Sequence, residues 1–341
     1  MRIVHVVVSS AFAGVEAHVS RLARAQAAAG NQVVVVGGDV ERMADAAGPD
    51  VRVVPGATLR SARSALARLT ARADVAHAHM TAAELVACTV WPVVAGRVPL
   101  VSTRHFAQHR GRTTLGRLTA PVVARVIAAQ IAIAQYTAER IDGPSTVVLA
   151  GVDARPDRTT PTSRPGVVLM AQRLEAEKRA DLGVRAFAAS GLADLGWRLL
   201  VAGDGAERPA VEALVAELGL AAAVTLLGRR SDVADLMAGA DVFLAPTPGE
   251  HFGLSVLEAM AAGLPVVADG SGGHLETLGT DAAGLYPSQD PGRAGTVLRD
   301  LATDAAAAHA YGAGLQVRQR THFSLDQQVT ATDLVYRSVL V

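Results

Sequence analysis

Among 341 residues there is one cysteine, Cys88, and one lysine, Lys178. A single thiol excludes an internal disulfide and a cysteine metal cage, which speaks for a reducing compartment. Net charge is lacking too, because 32 basic and 32 acidic side chains cancel. A nucleic-acid binder carries a basic surplus, so no nucleic-acid partner is expected. Long apolar runs are missing as well: no segment approaches the ~18 uninterrupted apolar residues of a spanning helix. The apolar start, Ile3–Val8, is too short for the core of a signal segment and reads as a first strand. The expected location is therefore cytoplasmic. What is present is apolar bulk: half the chain is hydrophobic and 19% charged, enough for a large core and incompatible with wholesale disorder.

At roughly 150 residues per domain the length fits about two domains. Short β-branched runs alternate with longer Ala/Leu/Arg stretches of helical period. In the first half the runs are Ile3–Val8, Val33–Val36, Val51–Val54, Val75–Ala78, Leu100–Thr103, Ile131–Ala134 and Thr146–Leu149. They are apolar throughout, the pattern of parallel strands buried on both faces. Helical stretches such as Val19–Ala29 and Ser61–Ala71 separate them, long enough for right-handed crossovers. Ala154–Gly166 holds three prolines and almost nothing apolar, the composition of a linker or surface loop. The rhythm then restarts at Val167–Met170, Arg198–Ala202, Val224–Leu227, Val242–Ala245 and Pro265–Ala268. The prediction is an α/β protein of two doubly wound, Rossmann-like domains facing a central cleft, residues 1–153 and 154–324. A C-terminal helix near 325–341 is expected to pack back on the first domain. Ligands belong at strand C-termini and in the cleft.

The most informative stretch runs from Ala245 through Pro265, as strand, Pro/Gly loop, helix and Gly-Leu-Pro turn. Ser255 and Glu258 have capping-box spacing, which predicts a helix starting near Ser255 with Glu258 in its first turn. Backbone N–H groups around Phe252, Gly253, Leu254 and Ser255, with the positive end of the helix dipole, make a natural phosphate seat. Glu250 lies in the preceding loop. Taken alone, Glu258 is equally well a cap and Glu250 a solvated loop acid.

From Glu250 to Ala259 this stretch resembles the signature of the retaining GT-B glycosyltransferases of family 4, Glu-x-Phe-Gly-Leu-x-x-x-Glu-Ala. The resemblance implies that Glu250 contacts hydroxyls of a donor sugar, that Glu258 binds the ribose of the nucleotide, and that amides between them reach the diphosphate. Upstream, Arg173-Leu-Glu-Ala-Glu-Lys178-Arg resembles the family's Arg-Leu-x-x-x-Lys-Gly segment, with Ala171-Gln172 where the family prefers small residues and glycine. It implies that Arg173 and Lys178 bind the diphosphate, although two charges after a strand are commonly only solvated. Lysine has otherwise been replaced by 31 arginines, a pattern of drift toward GC-rich codons. Survival of the one lysine at this position points to a need for a compact ammonium.

Gly203-Asp-Gly205-Ala-Glu207 fails the full Gly-x-Gly-x-x-Gly pattern, since residue 208 is arginine, so a dinucleotide cofactor is discounted. It is similar instead to the family's Gly-x-Gly-x-Glu loop. Arg229 and Arg230, after the next strand, correspond to the loop bracketing the nucleotide base, or are a solvent face. Gly272-Gly273-His274-Leu275-Glu276 resembles a late structural element of the family.

In the first half, Gly14 matches the second glycine of the family's Gly-Gly-x-Glu loop near the donor phosphate, and Ala13 replaces the first. His105, just after a strand, corresponds to the histidine that contacts the donor sugar near the reacting carbon. His105 and His109 have i, i+4 metal-pair spacing, but no further ligand accompanies them, and neither metal nor cofactor is expected. His77 reads as a satisfied core histidine and His79 as a cleft-lining one. Between Glu84 and Glu139 there is no acid, yet Arg97, Arg104, Arg110, Arg112, Arg117 and Arg125 fall there. Such a stretch suits an anionic or lipid-linked acceptor, or peripheral contact with the inner face of a membrane, and equally suits solvated faces with acidic neighbours in space. Leu115–Ile131 is amphipathic enough for either. The resemblance implies a retaining transfer of sugar from a nucleoside-diphosphate sugar, UDP- or GDP-linked, to an acceptor hydroxyl. The alternatives are a catalytically silent nucleotide-sugar-binding GT-B subunit or a nucleotide-sugar epimerase.

Overall fold

The computed structural model describes residues 1–90, 93, 95–111, 114–158 and 166–340, with only the backbone of 114–116. Arg112 and most of the proline-rich linker lie outside the described residues. Two compact units emerge: Met1–Gly151 with Ser324–Val341, and Val152–Phe323.

The first unit contains β1 (Arg2–Val7), β2 (Gln32–Gly37), β3 (Val51–Val54), β4 (Val75–His79), β5 (Leu100–Arg104), β6 (Ile127–Ala132) and β7 (Thr146–Val147). They form one sheet ordered β3-β2-β1-β4-β5-β6-β7, with every pairing parallel. The second unit contains β8 (Val167–Ala171), β9 (Arg198–Ala202), β10 (Val224–Gly228), β11 (Val242–Ala245), β12 (Val266–Asp269) and β13 (Leu285–Tyr286). Its order, β10-β9-β8-β11-β12-β13, repeats the same winding. Both are Rossmann-like sheets that reverse direction beside their first strand, between β1 and β4 and between β8 and β11.

The apolar runs become strands because each is covered on both faces: Ile3, Val7, Val33 and Val35 pack on one side of the first sheet, and Val4, Val6, Val36 and Ala76 on the other. In the second unit Val168, Met170, Phe187, Leu199 and Leu298 pack in one cluster, and Leu169, Phe243, Leu257, Met260 and Val266 are buried besides. The helix Leu325–Ser338 belongs to the first unit and sends Tyr336, fully buried, into its core. Several boundaries differ from the sequence reading: the first helix begins at Gly14 rather than Val19, and β6 at Ile127 rather than Ile131. The helix over Thr114–Val126 stops before Ile127, because β6 begins there and continues the sheet beside β5. The two-residue β13, too short to show a pattern, was not anticipated.

Candidate functional site

In the second unit the candidate residues collect where β8, β9, β11 and β12 end. Lys178 closes a 3-10 turn, Ala176–Lys178, and its carbonyl is held by Gln172 Nε2 (3.0 Å) and Thr247 Oγ1 (3.2 Å). Gln172, a departure from the family's glycine, thereby becomes a brace for the lysine. Arg179 follows at φ +48, the left-handed region where the resembled segment carries glycine. Its guanidinium is forked onto Asp181 at 2.9 and 3.0 Å. Local strain of about 1–3 kcal/mol is the usual cost of such a backbone.

Lys178 Nζ meets Glu250 Oε2 at 2.5 Å, with the side chains 20% and 14% exposed. Burial alone would raise the Glu250 pKa, but the Lys178 ammonium outweighs it, and the carboxyl is pulled down to about 2. Glu250 is an anion locked to a cation. Lysine carries three N–H donors, so the pair leaves donors for a second anion. The Glu250 loop is gripped from beneath. Gly249 N–H donates to Ser271 Oγ (2.8 Å) and Gly273 N–H to the Glu250 carbonyl (2.6 Å). A Cβ on Gly272 would sit 2.6 Å from the Glu250 oxygen, and one on Gly273 2.6 Å from Phe252 Cα. The Gly-Gly-His element is therefore the floor of this loop. His274 Nδ1 lies 3.0 Å from the Asp269 carbonyl, which only accepts, so Nδ1 carries the proton, and burial keeps the ring's pKa low.

The helix spans Leu254–Ala261, with Gly253 as N-cap at φ +95 and no side-chain cap among the described residues. This corrects the capping-box expectation. Gly253 turns the chain in one residue early, Ser255 is already inside the helix, and Glu258 is half-buried in the second turn. The amides of Leu254 and Ser255 lie in the turn whose N–H groups lack intrahelical acceptors, while Leu257 N–H already bonds Gly253 (3.1 Å). Phe252 contributes backbone only, since its ring is 1% exposed and packs 6.1 Å from Phe323.

The loops after β8, β9 and β10 are fused through glycine. Leu174 N–H bonds the Asp204 carbonyl (3.0 Å) and Gly203 N–H the Gly228 carbonyl (2.8 Å). A Cβ on Gly203 would fall 1.8 Å from the Gln172 oxygen. The arginines of this region behave differently from Lys178. Arg173 is 51% exposed and pairs with Glu177 at 2.7 Å, and Arg230 forks onto Asp232. Arg229 is exposed beside it.

In the first unit Gly14 is the exposed first residue of the helix Gly14–Ala28, and Glu16 Oε2 accepts the Ala13 N–H at 3.0 Å. His105 is 5% exposed, and burial lowers its pKa to about 3. Its Nε2 contacts His79 Nδ1 at 3.1 Å. His79 is fully buried, which corrects its reading as cleft-lining. His77 is the satisfied core histidine expected, bonded to Tyr336 (2.6 Å) and Thr103 (2.7 Å). His109 is exposed and does not join His105.

The arginine-rich stretch divides. Arg110 is 3% exposed and bidentate on the fully buried Glu84, at 2.5 and 2.7 Å, and also bonds Asp142 at 2.5 Å. Arg104 reaches Asp142 at 3.1 Å. Burial opposes ionisation of Asp142, but Arg110 overrides it and holds the carboxyl far below its usual range. These two arginines therefore neutralise the fully buried Glu84 and the half-buried Asp142 rather than offering charge to an acceptor. Arg117 and Arg125 stay exposed, as do Leu118 (73%) and Val122 (55%) on the same helix. A surface hollow bordered by Gly30, Asn31, Asp50 and Arg52 lies at the N-terminal end of the first sheet, opposite His79 and His105.

Comparison with known proteins follows the same division of the chain. Residues 12–155 match the sequence model described as Glycosyltransferase Family 4, and residues 153–312 that of Glycosyl transferases group 1. The lipopolysaccharide core biosynthesis mannosyltransferase LpsB of Rhizobium meliloti is 31% identical over 62% of this chain and 66% of its own length. The 2-deoxystreptamine glucosyltransferase of Streptomyces kanamyceticus is 34% identical over 56% of this chain and 51% of its own length. Among solved structures, Anabaena HepE in complex with UDP-glucose superposes with a TM-score of 0.80 at 19% identity, covering 99% of this chain and 100% of that one. The two Rossmann-like units are thus those of the GT-B fold.

Proposed function

The chain belongs to the group 1 glycosyltransferases of family 4, and from that premise we propose that it moves a hexosyl unit from a nucleoside-diphosphate sugar to an acceptor hydroxyl with retention of configuration. The observation that carries this reading is the Lys178–Glu250 pair at 2.5 Å, three residues from an uncapped helix N-terminus. Breaking an anomeric C–O bond sends negative charge onto the departing diphosphate. A site lowers that barrier by holding positive potential ready where the charge develops. Lys178 supplies a fixed ammonium, and the amides of Leu254 and Ser255 supply partial positive charge. In the family's pattern Gly14 and Arg173 are diphosphate-binding positions, Glu258 a ribose-binding one, and Arg229 and Arg230 border the base. Glu250 keeps Lys178 oriented and offers its carboxylate to sugar hydroxyls, while His105 holds the sugar near the reacting carbon. The acceptor attacks on the face the nucleotide leaves, and a phosphate oxygen takes its proton. No metal or further cofactor enters this scheme.

Of the relatives named above, one is a mannosyltransferase of lipopolysaccharide core biosynthesis and one a 2-deoxystreptamine glucosyltransferase. For this chain the exposed Leu118 and Val122 beside Arg117 and Arg125 favour an anionic, lipid-linked acceptor approached at a membrane surface. No described helix is long and apolar enough to cross a membrane. The test is a melting-temperature screen against UDP, GDP, ADP and their sugars, followed by NMR of the anomeric proton in the product. A strong shift with one base and an unchanged anomeric configuration are expected. No shift with any nucleotide, or an inverted product, would refute the proposal.

A further inference from the structure

A continuous line of neutral hydrogen-bonding groups crosses the core of the first unit and ends on His105. His105 Nε2 meets His79 Nδ1 at 3.1 Å, and His79 Nε2 meets His5 Nδ1 at 2.9 Å. His5 Nε2 then meets Gln26 Oε1 at 2.7 Å. Beyond it, Gln26 Nε2 donates to Tyr336 OH (3.3 Å), which bonds His77 Nδ1 (2.6 Å), whose Nε2 reaches Thr103 Oγ1 (2.7 Å). His5, His77 and His79 are fully buried, and Gln26 is 2% exposed. The three histidines lie close enough to suggest a metal cage. Yet every ring nitrogen of the three already has one of these partners, which accounts for the cluster without a cation.

Such a line has a direction. Each nitrogen–nitrogen contact holds one proton, so a donor at one end fixes every ring after it. Gln26 Oε1 only accepts, hence His5 Nε2 is the donor. His5 Nδ1 must then accept from His79 Nε2–H, and His79 Nδ1 from His105 Nε2–H. Burial, which lowers the pKa of all four histidines here, keeps the rings neutral and the count valid. The backbone next to His79 supports a fixed geometry: Met80 sits at φ +70, a conformation costly for a non-glycine residue.

We propose that Gln26, His5 and His79 are positioning residues that hold His105 as its Nε2–H tautomer, so that Nδ1 is the acceptor it presents to a hydroxyl of the donor sugar. The second half of this statement rests on the function proposed above, and the first half does not. In a neutral imidazole the two nitrogens have opposite roles, so the tautomer decides whether His105 accepts from or donates to the substrate.

The test is ¹⁵N NMR of the full chain labelled at histidine, with His105 assigned through His105→Gln. A protonated Nε2 and bare Nδ1 on His105 are expected in the wild type. A protonated Nδ1, or an exchanging mixture, would overturn the proposal. Gln26→Leu removes the acceptor that sets the direction. It should turn His105 into a mixture of tautomers and lower kcat roughly 2- to 13-fold with the donor KM nearly constant, the size of one neutral hydrogen bond. Gln26→Glu, which still accepts from His5, should retain the wild-type tautomer. An unchanged tautomer in Gln26→Leu, or a changed tautomer with unchanged kcat, would contradict the positioning role. If no variant turns over any donor, the proposed function fails, while the wild-type ring-nitrogen pattern still decides this inference.

Discussion

The two units wind their sheets in the same order but furnish the strand ends in opposite ways. At the ends of β8 and β11 the second unit holds a formal ion pair, Lys178 and Glu250, on loops clamped by glycine backbone. At the ends of β4 and β5 the first unit holds uncharged rings, His79 and His105, bonded to one another. A shared fold therefore dictates where a site sits, not its chemistry. Under the proposed function the charge would meet a diphosphate, and the neutral directed hydrogen bonds would sort sugar hydroxyls. Arginine sharpens the contrast, being buried structural neutraliser at Arg110 and exposed partner at Arg230.

The largest expected effect tests that contrast between arginines. Arg110→Ala strands Glu84, which is fully buried, and should cost about 3–5 kcal/mol, whereas Arg230→Ala, at an exposed pair, should leave stability essentially unchanged. Chemical denaturation of both variants measures it, and equal stabilities would break the comparison.

Acid titration separates the units next. Burial holds His5 at about 4 and His105 at about 3, below the ordinary 6.5. The unfolded chain thus takes up protons first as pH falls beneath 6.5. Stability is full above that value and declines toward pH 4, by up to about 1.4 kcal/mol per pH unit for each such ring. Glu250, lowered from 4.5 to about 2, adds stability above pH 4.5 that is lost only as pH falls toward 2. Circular dichroism with unit-specific fluorescent labels should see the first unit loosen at the higher pH. Simultaneous loss near pH 3 would contradict this.

A smaller effect concerns Arg179. Glycine is free at φ +48 but forfeits the ion pair with Asp181, so Arg179→Gly should shift the melting temperature by only a few degrees. A large loss would show that the guanidinium, not the backbone, shapes the Lys178 turn.

How legible these features were in the sequence depended on how far apart their partners lie along the chain. The strands showed because they are apolar on both faces, and Lys178 and Glu250 because each sits in a short local pattern. The histidine line did not show. Its members His5, Gln26, His77 and Tyr336 come from β1, a helix, β4 and the last helix, and no local spacing joins them. Arg104 and Arg110 looked like an offered basic surface because Glu84 and Asp142 flank the acid-free stretch and return to it only in space. The Ser255–Glu258 spacing placed the helix start to within one residue but not its cap, because Gly253 caps it with no side-chain hydrogen bond among the described residues.

The central claim is that Lys178 supplies charge to a departing diphosphate, and a transfer assay comparing wild type with Lys178→Ala tests it most directly. A charge-assisted hydrogen bond is worth about 1.5–3 kcal/mol, so kcat should fall roughly 10- to 200-fold while the fold persists. Equal rates in the two proteins would contradict the account.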